Sequence, residues 1–160
     1  MGQPIVVVDA FTDRAYAGNP AAICVCDGPR DAAWMQLVAR EMNLSETAFL
    51  YREAEPDTFR LRWFTPTVEV DLCGHATLAS AHALWSEGHL PADRTARFKT
   101  LSGLLTATPR DGWIELNFPA TPPGSTTDAA VPYRGTRARV PWASRRACTT
   151  CSSSWRTRTR

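Results

Sequence analysis

The stretch that decides the fold is residues 70–77, Val-Asp-Leu-Cys-Gly-His-Ala-Thr, where a strand-like run ends and a helix begins. The helix predicted over residues 75–87 is rich in Ala and Leu, stops before Gly88 and has almost no polar face. A helix that is apolar on all sides is buried. Short strand-like segments precede and follow it in the chain. The pattern therefore predicts an α+β domain in which a mixed or antiparallel sheet wraps around a buried central helix.

Short strands and a second helix are predicted around this central helix. Asp31 is the predicted N-cap of an amphipathic helix whose apolar face holds Trp34, Leu37 and Val38, with Glu41 on the same face. Alternating residues 104–118 predict a β-hairpin with its turn at residues 109–112. The remaining strands are predicted at residues 4–8, 21–26, 47–51 and 59–64.

The distribution of charge divides the 160 residues into two parts. Residues 1–132 hold 10 Lys+Arg and 16 Asp+Glu, 10 − 16 = −6, whereas residues 133–160 hold eight Arg and no acid, +8. The sequence predicts a folded domain over residues 1–123, followed by a linker and basic tail over residues 124–160 without strand or helix period. The tail is interpreted as a disordered arm, a nucleic-acid arm or the product of a shifted reading frame. We favour the shifted frame. The net negative charge of residues 1–132 does not support nucleic-acid binding.

The cysteines and the apolar runs indicate the cellular compartment. Five cysteines and no secretory signal pattern argue against a disulfide framework. Cys148 and Cys151 have the spacing of half a zinc site, but no second Cys/His pair accompanies them, so no metal site is predicted. The apolar runs are too short to cross a membrane. We expect a cytoplasmic protein.

The start of the central helix is the first candidate site. The first N–H groups of a helix lack internal partners and lie at the positive end of its dipole, which suits a carboxylate or a developing enolate. His75 at this position is suited to donating a hydrogen bond or relaying a proton. The alternative is that Gly74 is a packing glycine and His75 a capping residue. Cys73 is either a thiol base or a buried inert cysteine.

A second candidate is Glu46, which lies between the amphipathic helix and a strand and has apolar neighbours. A carboxylate at such a junction is suited to general acid/base chemistry, and the alternative is a capping or solvated glutamate. Asn19, within Gly18-Asn19-Pro20, is a weaker candidate because turns commonly use these residues.

Five ordered blocks resemble one known family. They are residues 8–12, 18–22, 43–49, 62–66 and 71–79, and together they resemble the phenazine-biosynthesis isomerases, the PhzF-like proteins. The resemblance covers about residues 3–123. It implies a fold similar to diaminopimelate epimerase, in which two related α+β domains, each a sheet around a central helix, enclose the active site between them.

The resemblance also implies a chemistry and a set of site residues. The family is known for cofactor-independent proton transfer, as in the isomerisation of a dihydro-hydroxyanthranilate. Glu46 matches the glutamate that carries the proton, and His75 matches a substrate-holding position and a proton relay. Gly74, Ala76 and Asn19 match other substrate-binding positions. The expected partner is a small carboxylate-bearing substrate.

What the resemblance implies for this particular chain is more restricted. Cys73 resembles the catalytic cysteine of diaminopimelate epimerase, so a thiol base is the alternative to Glu46. The family's full-length proteins are expected to be homodimers. Because the second domain cannot be found in this sequence, we expect the chain to be inactive or impaired. The alternatives are a non-catalytic single domain that self-associates and, with less support, a nucleic-acid-binding protein.

Overall fold

The computed structural model describes residues 2–14, 16–119 and 138–141, the last four as backbone alone. Within these ranges the chain forms two helices and one sheet of nine strands. The α+β prediction is confirmed. The helices are α1 (Ala32–Met42) and α2 (Gly74–Ser86); the strands are β1 (Val6–Ala10), β2 (Asn19–Cys26), β3 (Glu46–Arg52), β4 (Thr58–Phe64), β5 (Glu69–Val70), β6 (Ala96–Thr100), β7 (Gly103–Arg110), β8 (Trp113–Asn117) and β9 (Ala138–Pro141).

The sheet is mixed, with the order β1-β2-β3-β4-β6-β7-β8-β9 and with β5 paired to β4. The pairs β2–β3 and β4–β6 are parallel, and the other pairs are antiparallel. A parallel pair needs a crossover connection, and here α1 lies in the connection between β2 and β3, and α2 in that between β5 and β6. Each helix is therefore held against the sheet by the strands that precede and follow it.

The helix α2 is the centre of the fold. It packs against β1, β2 and β3 on one side and against β7 on the other, so the sheet curves around it. Ten of its thirteen residues are buried, and many are alanines, which let the surrounding backbone approach closely. The predicted ends are correct to within one residue, and Gly88 follows the helix with a φ of +75°. The prediction of a buried central helix is confirmed.

The helix α1 covers the opposite face of the sheet. Asp31 is its N-cap, as predicted, because its carboxylate accepts hydrogen bonds from the backbone N–H groups of Ala33 and Trp34. Met35 and Ala39 are its fully buried residues, and they belong to the same cluster as Phe49 and Phe64.

The predicted apolar face of α1 is wrong by a rotation about the helix axis. Leu37 is 60% exposed and Glu41 is also exposed, although both were assigned to the buried face. The buried stripe is centred on Met35 and Ala39, with Trp34 and Val38 partly buried beside it. The apolar pattern of a short helix fits two neighbouring stripes, and only packing against β3 and β4 selects one of them.

Two strands were not expected from the sequence. The strand β6 was not assigned, although its buried Ala96, Phe98 and Thr100 alternate with Arg97 and Lys99, and it pairs with β4 and β7. The strand β9 lies in the tail, where the prediction of no regular structure is wrong for residues 138–141, because their backbone pairs with β8. The rest of the tail, with Cys148, Cys151 and most of its arginines, lies outside the described residues. The domain boundary at residue 123 stays a prediction.

Both helices are short, and among the residues that the structure describes no helix combines the length and apolarity needed to cross a membrane.

Candidate active site

The beginnings of β3 and α2 lie next to each other and form the candidate site. Glu46 is the first residue of β3 and pairs with Ala21 of β2. Side chains alternate along a strand, so Glu46 shares a face with Ala48, which belongs to the core around α2. The carboxylate of Glu46 is thereby directed to the side of the sheet that holds the start of α2.

His75 lies at the centre of the site, because each of its ring nitrogens is close to a polar side chain. Its Nε2 lies 3.2 Å from Oε2 of Glu46 and 3.3 Å from Oγ of Ser45. Its Nδ1 lies 3.3 Å from Sγ of Cys73. His75 is only 9% exposed, so these neighbours largely replace water around the ring. The imidazole therefore lies between a carboxylate and a thiol. Cys73 and His75 are buried, and Glu46 is partly buried.

The carboxylate of Glu46 is incompletely satisfied. Its Oε2 is inaccessible to solvent and has no aligned hydrogen bond within the part of the chain that the structure describes, although His75 is 3.2 Å away. A buried acceptor without a hydrogen bond is costly and is expected mainly where a ligand or a reacting proton completes it. The site thus contains a buried carboxylate oxygen that no aligned hydrogen bond occupies and that faces the imidazole of His75.

The start of α2 has no side-chain cap. Cys73 is the N-cap residue and makes no capping hydrogen bond, and the first turn contains no acidic residue. Gly74 does not fit the alternative of a packing glycine, because a Cβ there would meet no described atom closer than Phe118 Cζ at 4.0 Å. The first turn of the helix therefore has no acidic residue of its own at the positive end of the dipole.

Burial determines the state of the Cys73 thiol. Loss of solvent raises its pKa from 9.0 to about 11, and the charge of Glu46 raises it further, whereas the backbone N–H groups of Ala76 and His75 act in the opposite direction. The thiol is consequently protonated near neutral pH. This favours Glu46 over Cys73 as the base.

The other predicted substrate-binding residues differ in their placement. Ala76 is buried in the first turn of α2 and offers only its backbone. Asn19, the first residue of β2, is exposed and pairs with Ala10. It shares a sheet face with Ala21 and hence with Glu46. The structure brings Glu46, Cys73 and His75 together at the start of α2, which Gly74 begins.

Ser45 is a site residue that sequence reasoning missed. Its hydroxyl lies 3.3 Å from the same nitrogen of His75 that faces Glu46. The available signal was its position directly before Glu46 in the block of residues 43–49. A serine in a turn is so common that this position carries little information without the fold.

A mixed sheet curved around a buried helix is also the fold of a solved epimerase. A crystal structure of a hydroxyproline epimerase from Agrobacterium vitis shares this fold with a TM-score of 0.54 at 13% identity, over 73% of this chain and 42% of that chain. At this identity the likeness shows the fold alone.

The family follows from closer comparisons. The model of the phenazine biosynthesis-like protein family matches residues 8–134, and the chain belongs to this family. It is 60% identical over 123 residues to an uncharacterized isomerase of Halalkalibacterium halodurans, covering 77% of this chain and 46% of that protein. It is 48% identical over 128 residues to the human phenazine biosynthesis-like domain-containing protein, covering 76% of this chain and 44% of that protein.

A solved structure of the same family agrees with the fold described above. The crystal structure of a PhzF-family phenazine biosynthesis protein from Enterococcus faecalis superposes with a TM-score of 0.71 at 41% identity, over 82% of this chain and 49% of that chain. The chain thus spans about half the length of the relatives that it matches.

Proposed function

We propose that this chain carries the proton-transferring half of a cofactor-independent isomerase or epimerase that acts on a small carboxylate substrate. The observation that carries the proposal is the 3.2 Å approach of Glu46 Oε2 to His75 Nε2 beside the uncapped start of α2. Family membership supports the isomerase class.

Glu46 is proposed to take a proton from one carbon of the substrate and return it to another. A proton carrier needs an oxygen that no strong hydrogen bond occupies, and Oε2 of Glu46 meets this requirement. His75 is proposed to relay the proton or to donate a hydrogen bond to the oxygen on which charge develops. Its contacts with Ser45 and Cys73 fix the orientation of the ring.

The substrate carboxylate is proposed to bind at the start of α2. Gly74 leaves the first turn open, and the N–H groups there lie at the positive end of the helix dipole. Ala76 contributes only its backbone, and Asn19 is a proposed further contact at the same end of the sheet. The carboxylate would then lie next to Glu46 and His75.

The matched segment covers less than half of these relatives, so the activity of a whole protein is part of the proposal. Substrate positioning and exclusion of water each lower the activation free energy by several kcal/mol. Positioning alone lowers it by about 7 to 11 kcal/mol in the most favourable cases. We expect the 160-residue chain alone to turn over little substrate.

The test is a chimera in which residues 1–123 of this chain replace the aligned part of the Halalkalibacterium halodurans relative. The readout is exchange of carbon-bound hydrogen with D2O, followed by NMR over a panel of small carboxylic acids and their neutral amides. We expect exchange in an acid but not in its amide, and loss of exchange in Glu46→Gln. Exchange that is unchanged in Glu46→Gln would refute the role of this residue.

A further inference from the structure

The cluster at the start of α2 contains the three kinds of ligand that zinc uses in proteins. Cys73 offers a sulfur, His75 an imidazole nitrogen and Glu46 a carboxylate oxygen, and these atoms all lie within 4.8 Å of one another. Zinc in proteins is bound by thiolate, imidazole and carboxylate groups in tetrahedral geometry. The chemical composition of the cluster is therefore that of a zinc site.

Two of the three ligand atoms already have a suitable separation. Sγ of Cys73 and Nδ1 of His75 are 3.3 Å apart. In a tetrahedral site, with Zn–S near 2.3 Å and Zn–N near 2.0 Å, sulfur and nitrogen lie about 3.5 Å apart. Both residues belong to the buried start of α2, which keeps this pair in place. The ligand oxygen of Glu46 lies within 4.8 Å of the ligand atoms of the other two residues.

Ser45 allows Glu46 to leave its present position. A histidine that binds a metal through one nitrogen usually donates a hydrogen bond from the other. With Nδ1 on the metal, Nε2 of His75 retains Oγ of Ser45 as an acceptor at 3.3 Å. The carboxylate of Glu46 is then available as the third ligand.

The carboxylate of Glu46 supplies negative charge for a cation beside the positive end of α2. Oε2 of Glu46 is inaccessible to solvent and has no aligned hydrogen bond. Its one ion-pair partner among the described residues is His75, with no Lys or Arg beside it. Cys73 and His75 are only 8% and 9% exposed, so little water competes with these two side chains for a bound metal. A divalent cation would satisfy this carboxylate.

We propose that Cys73, His75 and Glu46 bind one zinc ion, which inhibits proton transfer at this site. Binding replaces the proton of the Cys73 thiol by the metal and releases that proton to solvent, without any redox change. Three protein ligands leave a fourth position open for water or a small anion. Zinc binding does not depend on the proposed isomerase function, whereas the inhibitory effect rests on it. A metal at this cluster was not predicted from the sequence.

The test of binding uses Co2+ as a spectroscopic probe of the 160-residue chain under non-chelating reducing conditions. A thiolate ligand gives Co2+ a charge-transfer band in the near ultraviolet, and we expect one equivalent to saturate it and Zn2+ to abolish it. Cys73→Ser is expected to remove the band. Glu46→Gln and His75→Gln are each expected to weaken Co2+ binding by at least about tenfold, the lower range for loss of a supporting group.

Matched variants separate this site from the other cysteines. Cys24→Ser removes a buried thiol on the α1 side of the sheet and should leave the band unchanged. The double variant Cys148→Ser, Cys151→Ser should also retain it. A band that survives in Cys73→Ser, or that disappears in the double variant, overturns the proposal.

Two further measurements keep the test decisive. If Cys73→Ser does not fold, Zn2+ should protect Cys73 of the unmodified chain from iodoacetamide at a pH and reaction time that label it without metal, as followed by peptide mapping, and absence of protection overturns the proposal. In the active chimera, Zn2+ should inhibit over the concentration range in which it displaces Co2+, and displacement without inhibition overturns the inhibitory role. An inactive chimera would count against the isomerase proposal alone, because the Co2+ titration is independent of turnover.

Discussion

The two helices begin in opposite ways. At α1, the carboxylate of Asp31 accepts hydrogen bonds from two N–H groups and places negative charge at the positive end of the helix. At α2, Cys73 makes no capping hydrogen bond and the first turn has no acidic residue. Glu46 and His75 lie beside this second start. A helix start that is satisfied by its own cap has no capacity for a ligand, whereas an uncapped start beside a carboxylate and an imidazole retains it.

The two helices also differ in what keeps them folded. The helix α1 has an exposed face and depends on its cap and on one buried stripe. The helix α2 is buried on almost all sides, and its packing replaces the stability that a cap would contribute. This packing explains why the fold tolerates an uncapped helix at its centre.

The largest effect is expected from Glu46→Gln in the chimera described above. General acid/base groups contribute roughly 10²- to 10⁴-fold to rate, and glutamine retains the shape of glutamate without its basicity. We expect hydrogen exchange to fall by that factor while the far-ultraviolet circular dichroism stays the same. Asp31→Asn, which changes a carboxylate to an amide at the start of α1, is the matched control and should leave exchange unaltered.

A comparison of two leucines tests the difference in burial between the helices. Leu84 of α2 is fully buried, whereas Leu37 of α1 is 60% exposed. Leu84→Ala is expected to lower the free energy of unfolding by about 2 to 5 kcal/mol, because it leaves a cavity. Leu37→Ala should change it by less than about 0.5 kcal/mol. Urea denaturation measures both, and similar losses in the two variants would contradict the assignment of the exposed face.

The pH dependence of stability tests the environment of Cys73. Burial raises the pKa of this thiol from 9.0 to about 11, so the folded state favours the protonated form. Its contribution is fully present below pH 9 and is lost as the pH rises to about 11, because the unfolded chain releases the proton first.

The measurement is the difference in unfolding free energy between the unmodified chain and Cys73→Ser. We expect this difference to be constant up to pH 9. Between pH 9 and pH 11 the unmodified chain should lose up to about 2 kcal/mol of stability relative to Cys73→Ser. Cys24, whose pKa is also raised by its hydrogen bond with Cys26 and by burial, is present in both proteins and cancels. A difference that is flat to pH 11 would show that the Cys73 thiol is more solvated than in this structure.

The smallest effect concerns the cap of α1. Asp31→Ala removes the acceptor for the N–H groups of Ala33 and Trp34 and should cost about 1 kcal/mol of unfolding free energy. Asp31→Asn retains an acceptor and should cost much less. Equal losses in the two variants would mean that the negative charge, and not the hydrogen bonds, stabilises this helix start.

Sequence reasoning succeeded where the signal is local. The ends of α2 were predicted to within one residue because Gly74 and Gly88 bracket an apolar segment. The cap at Asp31 was predicted because capping depends on neighbouring residues alone. The apolar face of α1 was predicted wrongly, because two stripes of one short helix are almost equally apolar.

Features that depend on distant residues were missed. Strand β6 contains alternate charged residues, and its place between β4 and β7 follows from pairing with segments that are far away in sequence. The contact of Ser45 with His75 joins residues 30 positions apart. Cys73 and His75 are only two residues apart, but the 3.3 Å distance between Sγ and Nδ1 depends on side-chain orientations that burial decides.

The sequence by itself determined the buried helix, the capped helix, most of the strands and the candidate pair Glu46 and His75. Each of these depends on hydrophobic periodicity, on capping and turn residues, or on motifs whose order resembles one family. Only the tertiary structure decided that Glu46, His75, Cys73 and Ser45 form one cluster. The reason is physical: the curvature of the sheet around α2 and the parallel register of β2 and β3 bring the start of β3 to the start of α2, and no local pattern encodes that meeting.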